Sequence, residues 1–294
     1  SFQNYVIEYI ILNGERKEMK IKIVTDSASN MMALDGVPFA SVPLRIVTEE
    51  KEYIDHANLN VHEMVQELHS YSGRSQTACP GMGDWLQAFE DYDRIFCVTI
   101  ISRLSGSYNA AMAAKMEYEE ENPGKKVFVL DSYSAGPEMK LLLNKLRELV
   151  QDGKDFDTIC KEIQEYKNQH TSLIFSLQSL RNLANNGRVS PAAAKICGIV
   201  GIRVVGDVNE EGLHPTDKCR GEKKAIVELL RNMKRLGYHG KRVLIDHCYN
   251  ENGAMQLKDL IRKEYPQAEI SVNKTRGLCS FYAEKGGLMV GFER

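Results

Sequence analysis

The sequence predicts an α/β protein of two domains, and three observations carry that prediction. From residue 21 to about 153, short apolar strands alternate with helical patterns, which implies parallel strands covered by helices on both faces. Beyond about residue 170 the rhythm changes to hairpins mixed with helices, the pattern of an α+β domain. A chain of 294 residues with 43% hydrophobic content is also long enough to bury more than one core. The boundary is expected in the charged stretch near 155–170, dividing an N-terminal domain, 1–160, from a C-terminal one, 161–294.

The elements follow from local pattern. "IKIVTD" (21–26) and "FASVPLRIV" (39–47) read as strands, and "NVHEMVQELHSY" (60–71) has helical spacing. "GDWLQAFEDY" (83–92) begins another helix with Asp84 near its start, and "RIFCVTII" (94–101) is a buried strand. Ser105 or Ser107 is placed to cap a helix running to about Glu121, where Pro123-Gly124 breaks it. "KVFVLD" (126–131) is the next strand, and Pro137 and Gly153 bracket a further helix. The second half holds helix "FDTICKEIQEYKNQH", strand "SLIFSLQ" (172–178), short helix "LRNLANNG" and helix "PAAAKIC". A hairpin turning near Asn209–Gly212 follows, then helix 222–237, strand "RVLIDHC", helix "AMQLKDLIRKEY" and strands "AEISVNK" and "GLMVGFE". Residues 1–18, before Met19, read as an added segment or an extra edge strand.

Composition excludes several classes. A formal net charge of -2 gives no reason to expect nucleic acid or a membrane surface as partner. The richest apolar run, "IFCVTII", falls far short of the roughly 20 residues of a membrane helix, and no secretory signal is evident. Seven cysteines without CxxC spacing argue against a disulfide framework or a zinc site and suit a reducing cytoplasm. GxSxG, GxxxxGK[ST] and HExxH are absent, so serine hydrolase, P-loop and zincin chemistry gain no support. His247 has no ligand-spaced partner.

Three strands end in the same chemistry, "TDS" (25–27), "IIS" (100–102) and "LDS" (130–132), which marks one sheet edge as the working edge. In "SRLSGSY", Gly106 permits close backbone approach, and Ser102, Ser105 and Ser107 offer hydroxyls at a helix N-terminus suited to a carboxylate or phosphate. The plainer alternative is an ordinary N-cap. "GRSQTACPGMGD" (73–84) is a polar loop carrying Ser75, Gln76 and Thr77, or simply surface. Asp26 and Asp131 are candidate nucleophiles or helix caps, and Arg188, after a helix-ending Gly, is a candidate for anion recognition or a surface residue. From these residues alone, an enzyme acting on a small phosphorylated or carboxylated substrate, with Ser102 or Asp26 as nucleophile, stays open.

"IKIVTDSASNM", "RSQTACPGMGDWL", "VTIISRLSGSYNAA", "VFVLDSYSAG", "SLRNLANNGRVS" and "GGLMVGF" together resemble the DegV family, in order and spacing, from about residue 20 to the C-terminus. The resemblance implies an α/β/α domain with a parallel sheet plus an α/β domain with a mixed sheet. It also implies a long-chain fatty acid held between them. The best-understood members are the fatty-acid-binding subunits of bacterial fatty acid kinase, which present the carboxylate to a separate kinase subunit that makes acyl phosphate. On that resemblance the carboxylate meets Ser102, Ser105, Gly106 and Ser107, with Ser102 as direct donor. Ser75, Gln76 and Thr77 close over it, Arg188 joins the polar network, and no cofactor or metal takes part. Tyr282 stands where the family commonly has His, and a phenol donates a hydrogen bond without carrying positive charge. Arg74 and Thr77-Ala78 also depart from the family loop, and Glu284-Lys285 stand where the family has Gly-Pro. Arg203, Lys218, Arg220, Lys223 and Lys224 form a basic group that either docks an acidic partner or is a solvated face.

Overall fold

The protein is seen here as a computed structural model that describes residues 9–12, 15–190 and 201–294. The predicted helix "PAAAKIC" lies outside these residues. β1 (Tyr9–Leu12) and β2 (Glu15–Glu18) form a separate antiparallel hairpin. The described residues of the added segment thus pair with each other in a two-stranded sheet.

The first large sheet is parallel. It orders β4 (Phe39–Val42), β3 (Ile21–Asp26), β8 (Arg94–Thr99) and β9 (Lys126–Asp131) side by side. Alternate residues serve opposite faces, as a strand requires. Ile95 and Cys97 pack on Trp85 and Phe89 of α2 (Met82–Phe89) and on Ala111 and Ala114 of α3 (Ser107–Glu121). Phe96 and Val98 pack on Met139, Leu142 and Leu146 of α4 (Pro137–Gln151) and on Ile159 and Ile163 of α5 (Phe156–His170). Helices therefore cover both faces, as predicted.

The predicted strand 39–47 is divided. After β4 the chain breaks at Pro43, and β5 (Arg45–Thr48) joins β6 (Glu52–Ile54) and β7 (Ser75–Ala78) in a small antiparallel sheet beside α1 (Val61–Ser70). Proline supplies no N–H to a ladder, so the break falls where pairing is weakest. The expected polar loop at 75–78 is therefore a strand, paired through its backbone with β5.

The second large sheet is mixed. It runs β12 (Gly212–Arg220), β11 (Ile202–Asn209), β10 (Thr171–Leu177), β15 (Leu288–Glu293), β13 (Val243–His247), β14 (Ile270–Lys274), and only the β13–β14 pair is parallel. Ile174, Val205, Ile245 and Val290 point to α7 (Glu222–Arg235) and α8 (Glu251–Glu264). Two short helices, α6 (Arg181–Asn185) and α9 (Gly277–Ala283), complete the described residues. Sequence patterning predicted α6 but not α9.

α4 joins the halves. Every residue from Pro137 to Leu143 is buried, which one apolar stripe does not explain. The helix lies between the sheets, touching β3 and β8 on one side and β10, β13 and β15 on the other. A Cβ on Gly291 of β15 would stand 2.6 Å from the Pro137 carbonyl carbon, so only glycine allows this approach. Among the described residues, no helix is long and apolar enough to cross a membrane.

Candidate functional site

A cavity of about 90 Å³ lies between the carboxyl edge of the parallel sheet and the inner face of the mixed sheet. Leu44 after β4, Ile100, Ile101 and Leu104 after β8, and Ala135 before α4 form one wall. Leu173, Phe175 and Leu177 of β10, Val208, Leu213 and Met289 form the facing wall. Their period of two is that of strands showing one face to the space. Leu183 of α6 and Leu278, Cys279 and Ala283 of α9 close the sides. The working edge expected from the strand ends is thus one wall of an apolar chamber, consistent with ligand placement in open α/β sheets.

Four side chains break the apolar lining: Thr77, Ser105, Arg188 and Tyr282. The Thr77 and Tyr282 hydroxyls share a hydrogen bond of 2.6 Å. Burial raises the Tyr282 phenol above its ordinary pKa, opposed by its bond to Thr77 and by the Arg188 charge. Arg188 donates from Nε to the Leu104 carbonyl at 3.1 Å and from Nη1 to the Asn186 carbonyl. Asn186 donates in turn to the Ser75 carbonyl at 3.2 Å. These bonds tie the segment after α6 to β7 and to the turn after β8, so the polar groups gather at one place. An arginine beside neutral donors, in an otherwise apolar cavity, suits an anion carried by an apolar body.

The other candidates fall outside the lining. Ser102 is exposed on the turn between Ile101 and Ser105, and its backbone N–H donates to Asp131 at 3.2 Å. Gly106 is exposed at the N-cap of α3. The helix starts without a side-chain cap bond, although Ser105 Oγ accepts from the Ser107 N–H at 3.3 Å. Gln76 points out from β7, while the Ser75 carbonyl serves the tie to Asn186. Ser107 is buried, and its hydroxyl donates to Asp26 Oδ2 at 2.6 Å. The same oxygen accepts from the Ile100 N–H at 2.9 Å, and Oδ1 accepts from the Ala28 N–H at 3.2 Å. Asp26 caps a single 3-10 turn, Ser27–Ser29, with no exposed surface. A nucleophile needs access, and Asp26 has none. Asp131 binds the N–H groups of Ser102 and Tyr133 and does not cap the next helix, whose N-cap is Gly136. Arg203, expected in the basic group, is buried and pairs with Glu222 at 2.9 Å. Lys218, Arg220, Lys223 and Lys224 are exposed.

Most of the apolar lining went unread in the sequence. The alternation Leu173, Phe175, Leu177 was its one signal, and a strand buried on both faces looks the same. Helix α9 gave none. Its first N–H groups are held by Asp55, to which Gly277 N donates at 3.0 Å and Leu278 N at 2.9 Å. A Cβ on Gly277 would stand 2.6 Å from the Asp55 carboxyl carbon. This cap comes from a residue 222 positions away.

The DegV family model, described as an uncharacterised protein family, matches residues 20–294. A DegV domain-containing protein of Streptococcus gordonii is 40% identical over 280 residues, covering 94% of this chain and 99% of that one. Among solved structures, a DegV family protein from Eubacterium eligens loaded with heptadecanoic acid is 43% identical, with a TM-score of 0.90 over 93% of this chain and 99% of that one. The Streptococcus pneumoniae Fatty Acid Kinase B3 protein loaded with linoleic acid is 38% identical, with a TM-score of 0.91 over 94% of this chain and 99% of that one. With its fold, its cavity between two sheets and these full-length likenesses, the chain belongs to the DegV family.

Proposed function

We propose that this protein binds a long-chain fatty acid in the cavity between its sheets and has no catalytic activity of its own. The observation that carries the reading is the cavity itself, lined by apolar side chains, with its polar groups gathered at Thr77, Ser105, Arg188 and Tyr282. The relatives loaded with heptadecanoic and linoleic acid support it. Burial of the alkyl chain supplies affinity at about 0.8 kcal/mol per methylene before ordering costs. The polar cluster supplies orientation. Arg188 gives the charge, the Thr77–Tyr282 pair and Ser105 give hydroxyls, and Ser102, on the exposed turn beside Ser105, meets the carboxylate at the mouth.

A carboxylate held at an exposed turn is accessible to a partner enzyme. The pneumococcal relative's name as a fatty acid kinase protein supports a role as the bacterial, cytoplasmic lipid-presenting subunit of such a kinase, in phospholipid metabolism. In this role the domains 1–160 and 161–294 act as two walls around the acyl chain. Native mass spectrometry of the protein expressed in bacteria tests the central claim, with a fatty acid expected to co-purify. Delipidated wild type is expected to rebind it, Ser102→Ala to rebind it more weakly with an unchanged melting temperature, and Arg188→Ala to rebind it more weakly with a somewhat lower one, since its bonds to the Leu104 and Asn186 carbonyls are lost. Absence of any fatty acid from purified protein, together with no rebinding, would remove the proposal.

A further inference from the structure

Three consecutive backbone N–H groups lead the chain out of β8, and each is taken by a different part of the neighbouring structure. The Ile100 N–H donates to Asp26 Oδ2 at 2.9 Å, and the Ile101 N–H donates to the Ser134 carbonyl at 3.0 Å. The Ser102 N–H donates to Asp131, at 3.2 Å from Oδ1 and 3.3 Å from Oδ2. Ile100 and Ile101 are buried wall residues, held by acceptors that are themselves buried. Ser102 is exposed, so the third bond is the one that fixes the residue at the mouth.

Asp131 is well placed for this. It ends β9 and pairs in register with Thr99, which ends β8, so it stands beside the point where the chain enters the turn. Its Oδ1 also accepts from the Tyr133 N–H at 3.1 Å, and its carbonyl accepts from Lys167 Nζ of α5 at 3.2 Å. The acceptor is thus held from two further sides. With the Ser102 N–H spent on Asp131, the donor that Ser102 offers a ligand is its hydroxyl. We propose that Asp131 is a positioning residue for lipid binding, which fixes the Ser102 turn so that this hydroxyl meets the fatty-acid carboxylate. A turn without that anchor has to be ordered when the ligand binds, at a cost in affinity. The proposal rests on the fatty-acid-binding reading and adds to it the residue that holds the head-group donor in place.

The test titrates delipidated wild type, Asp131→Ala, Asp131→Asn, Ser102→Ala and the double variant Asp131→Ala with Ser102→Ala against palmitic acid, after thermal melts confirm folding. Asp131→Ala and Ser102→Ala are each expected to weaken binding by about tenfold, the size of one hydrogen bond to a charged group. The double variant is expected to lose about tenfold as well, because an effect that passes through the Ser102 hydroxyl is lost only once. Asp131→Asn keeps the oxygen that receives both N–H groups and is expected to bind close to wild type. Should Asp131→Ala fail to fold, Asp131→Leu, similar in size and unable to accept a bond, takes its place in the cycle. Wild-type affinity in Asp131→Ala, a hundredfold loss in the double variant, or equal weakness of the Asn and Ala variants would overturn the positioning role and leave lipid binding standing. Wild-type affinity in Ser102→Ala would do the same. Wild type that binds no palmitic acid would overturn the lipid-binding reading, and the positioning role with it.

Discussion

Asp26 shows what one residue does below the site. Its carboxylate gathers the Ile100 and Ala28 N–H groups and the Ser107 hydroxyl, and so holds the turn after β8 against the start of α3. Burial raises its pKa from 3.8 to about 7, outweighing the three hydrogen bonds, which pull it down. Glu138 moves the same way, to about 6, again through burial. A carboxyl with a raised folded-state pKa keeps its proton in the folded chain at a pH where the unfolded chain has lost it. Its contribution to stability is whole below about pH 3.8 and gone above about 7. The melting temperature is therefore expected to fall between pH 5 and 7.5, and Asp26→Asn to show a smaller fall over that interval. Equal slopes in variant and wild type would assign the proton elsewhere.

At the scale of elements, α9 is the piece most dependent on its surroundings. It carries Leu278, Cys279, Tyr282 and Ala283 into the cavity, yet its N-terminus is held by Asp55 from the segment after β6. Removing that carboxylate leaves two buried N–H groups without an acceptor. Asp55→Ala is expected to cost about 3 kcal/mol in urea denaturation, and Asp55→Asn less, because its amide oxygen still accepts one bond. Fatty-acid affinity is expected to fall with Asp55→Ala although no lining residue changes. α9 was illegible in the sequence because seven residues without a local cap do not sustain a helix. By contrast, α5 was legible in full, since Asp155 caps it from the adjacent position, accepting from the Thr158 N–H three residues on.

Across the whole molecule, a buried ion pair fastens the sheets together. Lys140 of α4 binds Asp246 of β13 at 2.8 Å, and Asn30 donates to the same carboxylate at 2.7 Å. Asn30 also accepts from the Arg276 N–H at 2.9 Å, next to α9. Stripping one partner from such a pair leaves a buried charge, so Lys140→Ala is expected to lose about 3–5 kcal/mol. Lys140→Met with Asp246→Leu is expected to recover part of it. A single-variant loss below about 1 kcal/mol would mean that water reaches the pair. With α4 fixed on both sides, the cavity keeps its width, and its contents are governed by lining residues.

Local sequence was enough for the two-part α/β plan, most of its helices and strands, and the sheet edge beside which the cavity lies. Those features depend on periodicity, caps and glycine or proline breaks within a few residues, which neighbouring side chains alone settle. The split at Pro43, the pairing of Ser75–Ala78 as a strand, the existence of α9 and the cavity were decided only by tertiary structure. Each depends on partners far along the chain, such as Thr77 with Tyr282, Asp55 with Gly277 and Leu173 with Val208. An empty space has no local signal, because it is made by what its walls leave unfilled.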